Sequence, residues 1–275
     1  MAMSISIPIF LASDNAYAPF VASTIASICD NTKAFIEFYI LDGGISEKNR
    51  EKILKLKDVF QNFSIEFCDV RLPETLEYKN MAPHISVATY NRFLIPIVKP
   101  EIKRAIYLDV DLVVLGDITD LWKVSLCEHT LGWVRDFNNP YLVADFVKNF
   151  ELLNYYNAGV LLIDLERWKK QDYTKRVFQL EQKVRDKIKF ADQDLMNILF
   201  AEDSIALNPK FNCQFGGNNP VVRHFIGIYK PWQRDTMLIL RKEMPLPNFD
   251  DFWKYMKMTE FYSQIKRQFP QKMIK

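Results

Sequence analysis

Two carboxylates, Asp109 and Asp111, lie one residue apart in a segment that is otherwise apolar, Ile106-Tyr107-Leu108-Asp109-Val110-Asp111-Leu112-Val113-Val114. Burying an isolated ionised carboxylate is costly, so a strand that enters a core keeps two of them only where something compensates their charge. A divalent cation would compensate both, because carboxylate oxygens are the ligands that Mg²⁺ and Mn²⁺ prefer.

Three interpretations are compatible with this pair. The aspartates can be solvated groups where a strand meets a turn, which is common for Asp at strand ends. They can be the metal site of a phosphatase or nucleotidyltransferase. They can also be the Asp-x-Asp site of a nucleotide-sugar transferase, in which a metal joins the protein to a diphosphate. The pattern alone does not discriminate among these, so the rest of the chain has to.

Composition narrows the class of protein. A chain of 275 residues with 49% hydrophobic content can build one large α/β domain with a trailing extension. The formal net charge of +2 is far below that of a domain that binds nucleic acid through bulk electrostatics. We therefore expect small-molecule partners and no nucleic acid.

The cysteines and the N-terminal residues indicate the cellular compartment of the protein. Four cysteines are scattered without a C-x-x-C pair or zinc-finger spacing, which predicts free thiols in a reducing compartment. Residues 1–12 are apolar but lack the basic start and cleavage site of a signal peptide, so we interpret them as the first strand. No apolar stretch is long enough to span a bilayer. We expect a cytoplasmic protein.

The elements that position the aspartates are predicted to be β–α units. Strands are predicted at 4–12, 36–41, 64–69 and 104–108, with helices after the first two, beginning near Pro19 and Ser46. Such an order gives a parallel sheet with right-handed crossovers, whose ligands lie outside the carboxyl ends of the strands. Asp14, Asp42 and the Asp109/Asp111 pair all fall at those ends.

The second half supplies more polar groups beside apolar runs. Further strands are predicted at 131–134 and 159–163, followed by a charged helical stretch over 165–189. Asp192-Gln193-Asp194 opens another helix, where carboxylates commonly cap the N-terminus. Nearer the end, His224, Gly227 and Lys230 lie within seven residues of each other. Imidazole can bind metal, glycine allows close backbone approach and lysine offers positive charge, a combination that suits a diphosphate.

Taken together, seven ordered segments resemble glycosyltransferase family 8, and within it the bacterial lipopolysaccharide and lipooligosaccharide hexosyltransferases of the α-1,4-galactosyltransferase type. The segments are Ala12-Ser13-Asp14, Leu41-Asp42-Gly43-Gly44-Ile45-Ser46, His84-Ile85-Ser86 with Thr89-Tyr90-Asn91-Arg92, Tyr107-Leu108-Asp109-Val110-Asp111, Tyr156-Asn157-Ala158-Gly159-Val160-Leu161-Leu162, Asp192-Gln193-Asp194-Leu195-Met196-Asn197, and His224-Phe225-Ile226-Gly227 with Lys230-Pro231-Trp232.

The resemblance implies a fold and an activity. The fold is a single Rossmann-like nucleotide-diphospho-sugar transferase (GT-A) domain, α/β with a mixed, mostly parallel sheet, over 1–245, followed by a C-terminal helical extension over 246–275. The activity is metal-dependent, retaining transfer of galactose or glucose from a UDP-sugar to a glycan or glycolipid acceptor in surface-glycan synthesis such as that of lipopolysaccharide. Alternatives are a nucleotidyltransferase acting on a nucleoside triphosphate and a glycogenin-like self-glucosylating transferase.

The resemblance also implies roles for individual residues. The metal, Mn²⁺ or Mg²⁺, would be bound by Asp109, Asp111 and His224. The nucleotide and diphosphate would contact Asp14, Arg92, Gly227 and Lys230. The donor-sugar and acceptor pocket, with its catalytic groups, would be lined by Asp136, Asn157, Ala158, Asp192 and Gln193.

The chain departs from the family's pattern at one position, because Ala16 replaces an Asn that commonly touches the ribose. The acceptor would contact the variable loops 71–83 and 138–155.

The C-terminal extension combines basic with aromatic side chains. Between Asp251 and Lys275 it holds six basic residues and six aromatic residues, the latter being Phe252, Trp253, Tyr255, Phe261, Tyr262 and Phe269. Basic aromatic helices can bind anionic membrane surfaces, which would make the protein peripheral on the inner face of the cell membrane. The alternative is a helix packed on the domain.

Overall fold

The computed structural model describes residues 6–77, 86–136, 140–214, 216, 219–227, 230–232 and 248–268. His84, which belongs to one of the seven segments, lies outside the described residues, as do Phe269 and parts of the two predicted acceptor loops.

The sheet is built from strands whose buried side chains are mostly Ile, Leu, Val and Phe. The strands are β1 (Ser6–Ser13), β2 (Phe35–Asp42), β3 (Phe63–Asp69), β4 (Arg104–Leu108), β5 (Leu112–Val114), β6 (Leu131–Arg135), β7 (Tyr156–Asp164), β8 (Ser204–Ala206) and β9 (Val222–His224). Within the described ranges, seven of them form one sheet in the order β3-β2-β1-β4-β7-β6-β8. Strands β1 to β4 pair in parallel, β7 is antiparallel to both β4 and β6, and β8 is parallel to β6. The predicted mixed, mostly parallel sheet is confirmed.

Helices cover both faces of this sheet. They are α1 (Ala18–Asn31), α2 (Glu47–Leu54), α3 (Ile95–Val98), α4 (Thr119–Trp122), α5 (Pro140–Asn149), α6 (Leu165–Lys170), α7 (Tyr173–Val184), α8 (Ala191–Leu199), α9 (Asp250–Met256) and α10 (Tyr262–Gln268), with 3-10 helices at Lys55–Asp58, Val87–Leu94 and Pro209–Phe211. Alternate side chains of the strands point to opposite faces. Ile9 and Leu11 of β1 accordingly join one buried cluster with α1, while Phe10 joins a second cluster with α8.

One predicted element needs adjustment. The charged stretch over 165–189 divides into α6 and α7, because Asp172 between them adopts a left-handed φ of 53° that ends a right-handed helix. Between the first predicted acceptor loop and β4, the chain forms a 3-10 helix, Val87–Leu94, which continues into α3. The four cysteines are free, as predicted; Cys29 and Cys68 are buried, and burial raises the pKa of each thiol to about 12.

The C-terminal helix α9 packs onto α1, and α10 contacts α2 through a hydrogen bond from Lys52 to Gln264 at 3.2 Å. Phe252, Tyr255 and Phe261 are buried in the core that α1 shares with the sheet, and Trp253 and Tyr262 are partly buried against it. Asn31 of α1 donates a hydrogen bond to the Tyr255 hydroxyl at 2.7 Å. These residues therefore form a helical extension that packs on the domain, which was the alternative to a membrane-bound one. The domain boundary at 245 and contact with a membrane stay predictions. Within the described part of the chain, no helix is long and apolar enough to cross a bilayer.

Candidate active site

Asp109 and Asp111 follow β4 at the carboxyl edge of the sheet, as the sequence predicted. The segment that carries them is fixed by α1, whose Thr24 hydroxyl lies 3.2 and 3.0 Å from the carbonyl oxygens of Val110 and Leu112. The Asp109 amide donates to the carbonyl of Gly159 on β7 at 2.8 Å. The Thr24 hydroxyl of α1 therefore helps to fix the backbone on either side of Asp111.

His224 completes a three-residue cluster with these aspartates. It ends β9, whose antiparallel pairing with β5 places Leu112 opposite His224. Its Nε2 atom lies 3.0 Å from Oδ1 of Asp111 and 4.0 Å from Oδ2 of Asp109. One ligand atom from each of the three residues lies within 4.8 Å of the others. Two carboxylates and one imidazole suit a divalent cation such as Mn²⁺ or Mg²⁺, so the predicted residues fit a metal site.

Gly159 leaves the room that this cluster occupies. A Cβ atom built on Gly159 would lie 2.1 Å from Cε1 of His224 and 2.9 Å from Oδ2 of Asp109, far inside van der Waals contact. A glycine inside a strand commonly marks a place where another group approaches closely. The position of Gly159 within a predicted strand therefore indicated such an approach. The sequence prediction did not assign it a role.

Lys230 contacts Asp111 on the side opposite His224. Its ammonium group is buried and donates to Oδ2 of Asp111 and to the carbonyl of Phe225. Burial opposes ionisation of Asp111, but the charge of Lys230, joined by His224 when its Nε2 carries a proton, outweighs burial and holds the pKa of this carboxyl well below its usual range. Gly227 has a φ of 62°, a conformation that glycine adopts without strain. Of the two predicted diphosphate residues in this segment, Lys230 thus contacts the cluster of Asp109, Asp111 and His224 directly.

Arg92 lies beneath the cluster with its guanidinium only 2% exposed. Its Nη2 atom is 2.9 Å from Oδ1 of Asp109, and its Nε atom is 3.0 Å from Oδ2 of Asp192. The guanidinium stacks 4.3 Å from the ring centre of Tyr107, whose hydroxyl also donates to Asp109. Burial raises the pKa of Asp192, and the charge of Arg92 partly offsets that rise. Asp192 therefore helps to hold the Arg92 guanidinium, which in turn contacts Asp109.

Gln193 is the centre of a separate hydrogen-bond network. Its Oε1 atom accepts from the Ala158 amide and from Nδ2 of Asn157, each at 3.1 Å. Its Nε2 atom donates to Oδ2 of Asp136 at 3.0 Å and to the Tyr155 hydroxyl at 3.2 Å. The structure thus brings together the predicted pocket residues Asp136, Asn157, Ala158 and Gln193, and adds Tyr155, which the sequence prediction missed.

The capping interpretation of the Asp192-Gln193-Asp194 segment holds for its last residue. Oδ2 of Asp194 accepts from the backbone amides of Lys189 and Phe190 at 2.6 and 2.9 Å, just before α8 begins. Oδ1 of Asp194 accepts from the Tyr155 hydroxyl. Both oxygens of this carboxylate are therefore committed to structural hydrogen bonds.

Asp14 lies one residue beyond the end of β1. Its Oδ1 atom accepts from the amides of Ala16 and Tyr17 at 3.0 and 3.1 Å, and its Oδ2 atom accepts from the Ser86 hydroxyl at 3.0 Å. Burial, followed by the charges of Asp111, Asp14 and Asp109, raises the pKa of the Tyr17 hydroxyl. Tyr17 thus lies close to Asp14, the predicted nucleotide contact, and to the aspartate pair, and the sequence prediction assigned it no role.

A model of the family described as Glycosyl transferase family 8 matches residues 8–236. The chain belongs to glycosyl transferase family 8. General stress protein A of Bacillus subtilis is 28% identical, over 90% of this chain and 92% of its own length. A lipopolysaccharide 1,2-glucosyltransferase of Escherichia coli is 27% identical, over 80% of this chain and 71% of its own length. The family resemblance predicted from the seven segments is confirmed.

Solved structures of glycosyltransferases confirm the fold. The galactosyltransferase LgtC in complex with donor and acceptor sugar analogs is 26% identical with a TM-score of 0.79, covering 92% of this chain and 96% of that one. The apo form of glycosyltransferase GlyE from Streptococcus pneumoniae shares the fold with a TM-score of 0.72, and this chain covers 63% of its length. By sequence, the chain spans 62% of a Haemophilus influenzae putative glycosyltransferase that is 31% identical. The predicted nucleotide-diphospho-sugar transferase (GT-A) architecture is therefore confirmed.

Proposed function

We propose that this protein is a metal-dependent, retaining glycosyltransferase that moves a hexose, galactose or glucose, from a UDP-sugar to a glycan or glycolipid acceptor. The observation that carries the proposal is the cluster of Asp109, Asp111 and His224 beside the buried ammonium of Lys230. Membership of glycosyl transferase family 8 and the likeness to a galactosyltransferase seen with donor and acceptor sugar analogs support it.

The charges at the cluster suit a sugar-diphosphate donor. A divalent ion held by Asp109, Asp111 and His224 would act as a Lewis acid for a diphosphate leaving group and orient it. Lys230 supplies a further positive charge beside Asp111, where negative charge would develop as the diphosphate departs. Gly227, whose φ of 62° suits glycine, is proposed to let the backbone approach the diphosphate closely.

Donor binding extends from the cluster toward Asp14 and Arg92. We assign Asp14 to the uracil, because its carboxylate lies at the strand edge where nucleotides bind in open α/β sheets. Asn15 does not substitute freely for the side chain that Ala16 lacks, since its Oδ1 atom accepts from the Ser46 amide and from Asn49 at 2.9 and 2.8 Å. Arg92 acts indirectly, by fixing Asp109.

Retention of anomeric configuration is proposed to proceed by front-face attack, in which a departing phosphate oxygen accepts the acceptor's proton. A double displacement needs a free nucleophile beneath the anomeric carbon. Oε1 of Gln193 already accepts two hydrogen bonds, and an amide is a poor nucleophile. Asp192 is paired with Arg92, and Asp194 is held by backbone amides and Tyr155. In this proposal Gln193, Asp192 and Asp136 shape the pocket around the sugar.

The acceptor is proposed to be a bacterial surface glycan such as the lipopolysaccharide core, and the support is that the Escherichia coli relative is named a lipopolysaccharide 1,2-glucosyltransferase. A glycogenin-like enzyme would instead glycosylate one of its own tyrosines. Mass spectrometry of the protein after incubation with UDP-glucose separates the two, because only self-glucosylation adds hexose to the polypeptide.

A donor screen tests the proposal. UDP release is measured across a panel of UDP-hexoses with Mn²⁺ present, and again after chelation by EDTA. We expect one UDP-hexose, UDP-galactose or UDP-glucose, to be hydrolysed or transferred much faster than the others, and the release to stop on chelation. Equal release with and without metal, or no release from any UDP-hexose, would overturn the assignment.

A further inference from the structure

A chain of hydrogen bonds connects the Gly159 amide to the imidazole of His224. The Gly159 amide lies 3.0 Å from Oδ1 of Asn157. A backbone amide can only donate, so the Asn157 atom that faces it has to be the acceptor, the side-chain oxygen. The Asn157 nitrogen then faces Oε1 of Gln193, which also accepts from the Ala158 amide. Two backbone amides therefore fix the orientation of the Asn157 side chain.

Asn212 passes this orientation on to His224. One end of its amide lies 2.8 Å from Oδ1 of Asn157, so this end is the NH₂ group. The other end, the oxygen, lies 3.0 Å from Nδ1 of His224. An amide oxygen only accepts, so Nδ1 of His224 has to carry the proton. Asn157, Asn212 and His224 are 7%, 1% and 3% exposed, which leaves little room for water to replace any of these bonds.

The opposite ring nitrogen is then the one that faces the carboxylates. With Nδ1 protonated, the neutral imidazole presents the lone pair of Nε2, which lies 3.0 Å from Oδ1 of Asp111. Two lone pairs at this distance repel unless a cation or a proton lies between them. Groups that bind the distal nitrogen of a metal-ligating histidine fix its tautomer and ring orientation in this way.

We propose that Asn212 is the positioning residue of this site: it holds His224 in the Nδ1-protonated form and aims Nε2 at the metal position between Asp109 and Asp111. The inference rests on the proposed metal role of His224. Asn212 directly follows the 3-10 helix Pro209–Phe211, and its side-chain oxygen contacts the cluster through Nδ1 of His224.

Two substitutions of Asn212 separate acceptor chemistry from general packing. Asn212→Leu preserves size but offers no acceptor to Nδ1, so we expect the affinity for Mn²⁺ to fall about 10- to 100-fold. Asn212→Asp keeps an oxygen facing Nδ1 but gives up the NH₂ group that faces Oδ1 of Asn157, so we expect it to keep the Nδ1-protonated tautomer and to lose less affinity than Asn212→Leu. Asn62→Leu is the matched control, because it removes hydrogen bonds to the carbonyls of Cys29 and Thr32 elsewhere in the core and leaves the site intact.

The tautomer is read directly by long-range ¹H–¹⁵N correlation NMR at alkaline pH without added metal. The chain has three histidines, so assigning His224 is straightforward. We expect a protonated Nδ1 in the wild type and in Asn212→Asp, and a shift toward the Nε2-protonated tautomer in Asn212→Leu. Calorimetry gives the Mn²⁺ affinity and a thermal melt reports folding.

The outcomes are distinguishable. An Nε2-protonated His224 in the wild type, or a folded Asn212→Leu protein with unchanged Mn²⁺ affinity, would overturn the inference. If Asn212→Leu does not fold, the wild-type spectrum and the retained tautomer in Asn212→Asp decide it. If wild-type protein binds no Mn²⁺, the proposed function fails, while the tautomer spectrum still decides whether Asn212 sets the protonation of His224.

Discussion

The guanidinium of Arg92 lies 2.9 Å from Oδ1 of Asp109, at a depth where almost no solvent reaches it. The contact commits Oδ1 of Asp109 to the protein and leaves Oδ2, which lies 4.0 Å from His224, for a metal. The same guanidinium lies against Asp192, so one buried cation serves two carboxylates from distant parts of the chain.

Replacing Arg92 with methionine should destabilise the protein by about 3–5 kcal/mol, because the buried Asp192 then loses its cation. Urea denaturation followed by circular dichroism measures this change. The double variant Arg92→Met/Asp192→Asn should recover part of the loss, since the unpaired charge is removed. Strict additivity of the two single substitutions would show that the pair is not coupled.

Replacing Gly159 with alanine should weaken Mn²⁺ binding at least tenfold, because the added methyl group collides with the ring of His224. Gly116→Ala is the matched control, since its new Cβ would meet Val221 at an ordinary contact distance of 3.4 Å. Calorimetric titration of both variants with Mn²⁺ measures the effect. Equal affinities in the two variants would be incompatible with a metal bound at His224.

Wild-type enzyme should carry no covalent hexose during turnover, because the side chains nearest a nucleophile's position are already engaged by protein groups. Rapid acid quenching after mixing with UDP-hexose, followed by intact-mass and peptide analysis, measures this. A hexose adduct on the peptide that contains Gln193 would refute front-face attack and establish a double displacement.

Any membrane binding by the C-terminal extension should be electrostatic and sensitive to salt, because its aromatic side chains at 252, 255 and 261 are buried in the core. Lys257, Lys266 and Arg267 remain exposed. Reversing all three charges should abolish pelleting with anionic vesicles at low salt, since each contributes about 1 kcal/mol. Pelleting of the variant at wild-type levels, or of neither protein, would eliminate a membrane role for these residues.

Deleting the C-terminal extension is not a suitable test of membrane binding. Removing residues after Asn248 would expose the core face of α1 against which α9 packs, and would also remove the hydrogen bond between Asn31 and Tyr255. We expect such a protein to melt well below the intact chain. A thermal melt of the truncated protein checks this, and an unchanged melting temperature would show that α9 and α10 contribute little to stability.

The sequence predicted the parts of the site that depend on local pattern. An apolar run ending in Asp109-Val110-Asp111 indicates a strand that delivers carboxylates to a sheet edge, and β4 does so. The order of the β–α units indicated the parallel half of the sheet. Both follow from periodicity and from the chirality of crossover connections, which need no knowledge of distant contacts.

The supporting contacts were not predictable in the same way. Nothing in the polar stretch around Asn212 distinguishes it from a surface loop, and its role depends on β9 bringing His224 beside β5. The pairing of Arg92 with Asp192 likewise joins two segments that look like a surface arginine and a helix cap when taken separately. Such contacts follow from tertiary packing, which overrides the common behaviour of each residue type.

The central claim is that Asp109, Asp111 and His224 bind the metal on which hexose transfer depends. Asp111→Asn tests it most directly, because the substitution keeps the size of the side chain while removing its charge. Asp164→Asn, at the far end of β7 where the residue caps α6, is the matched control. The rate of UDP release from the preferred UDP-hexose at saturating Mn²⁺ should fall at least a hundredfold in Asp111→Asn and stay near wild type in Asp164→Asn. An Asp111→Asn enzyme that is folded and releases UDP at the wild-type rate would contradict the account.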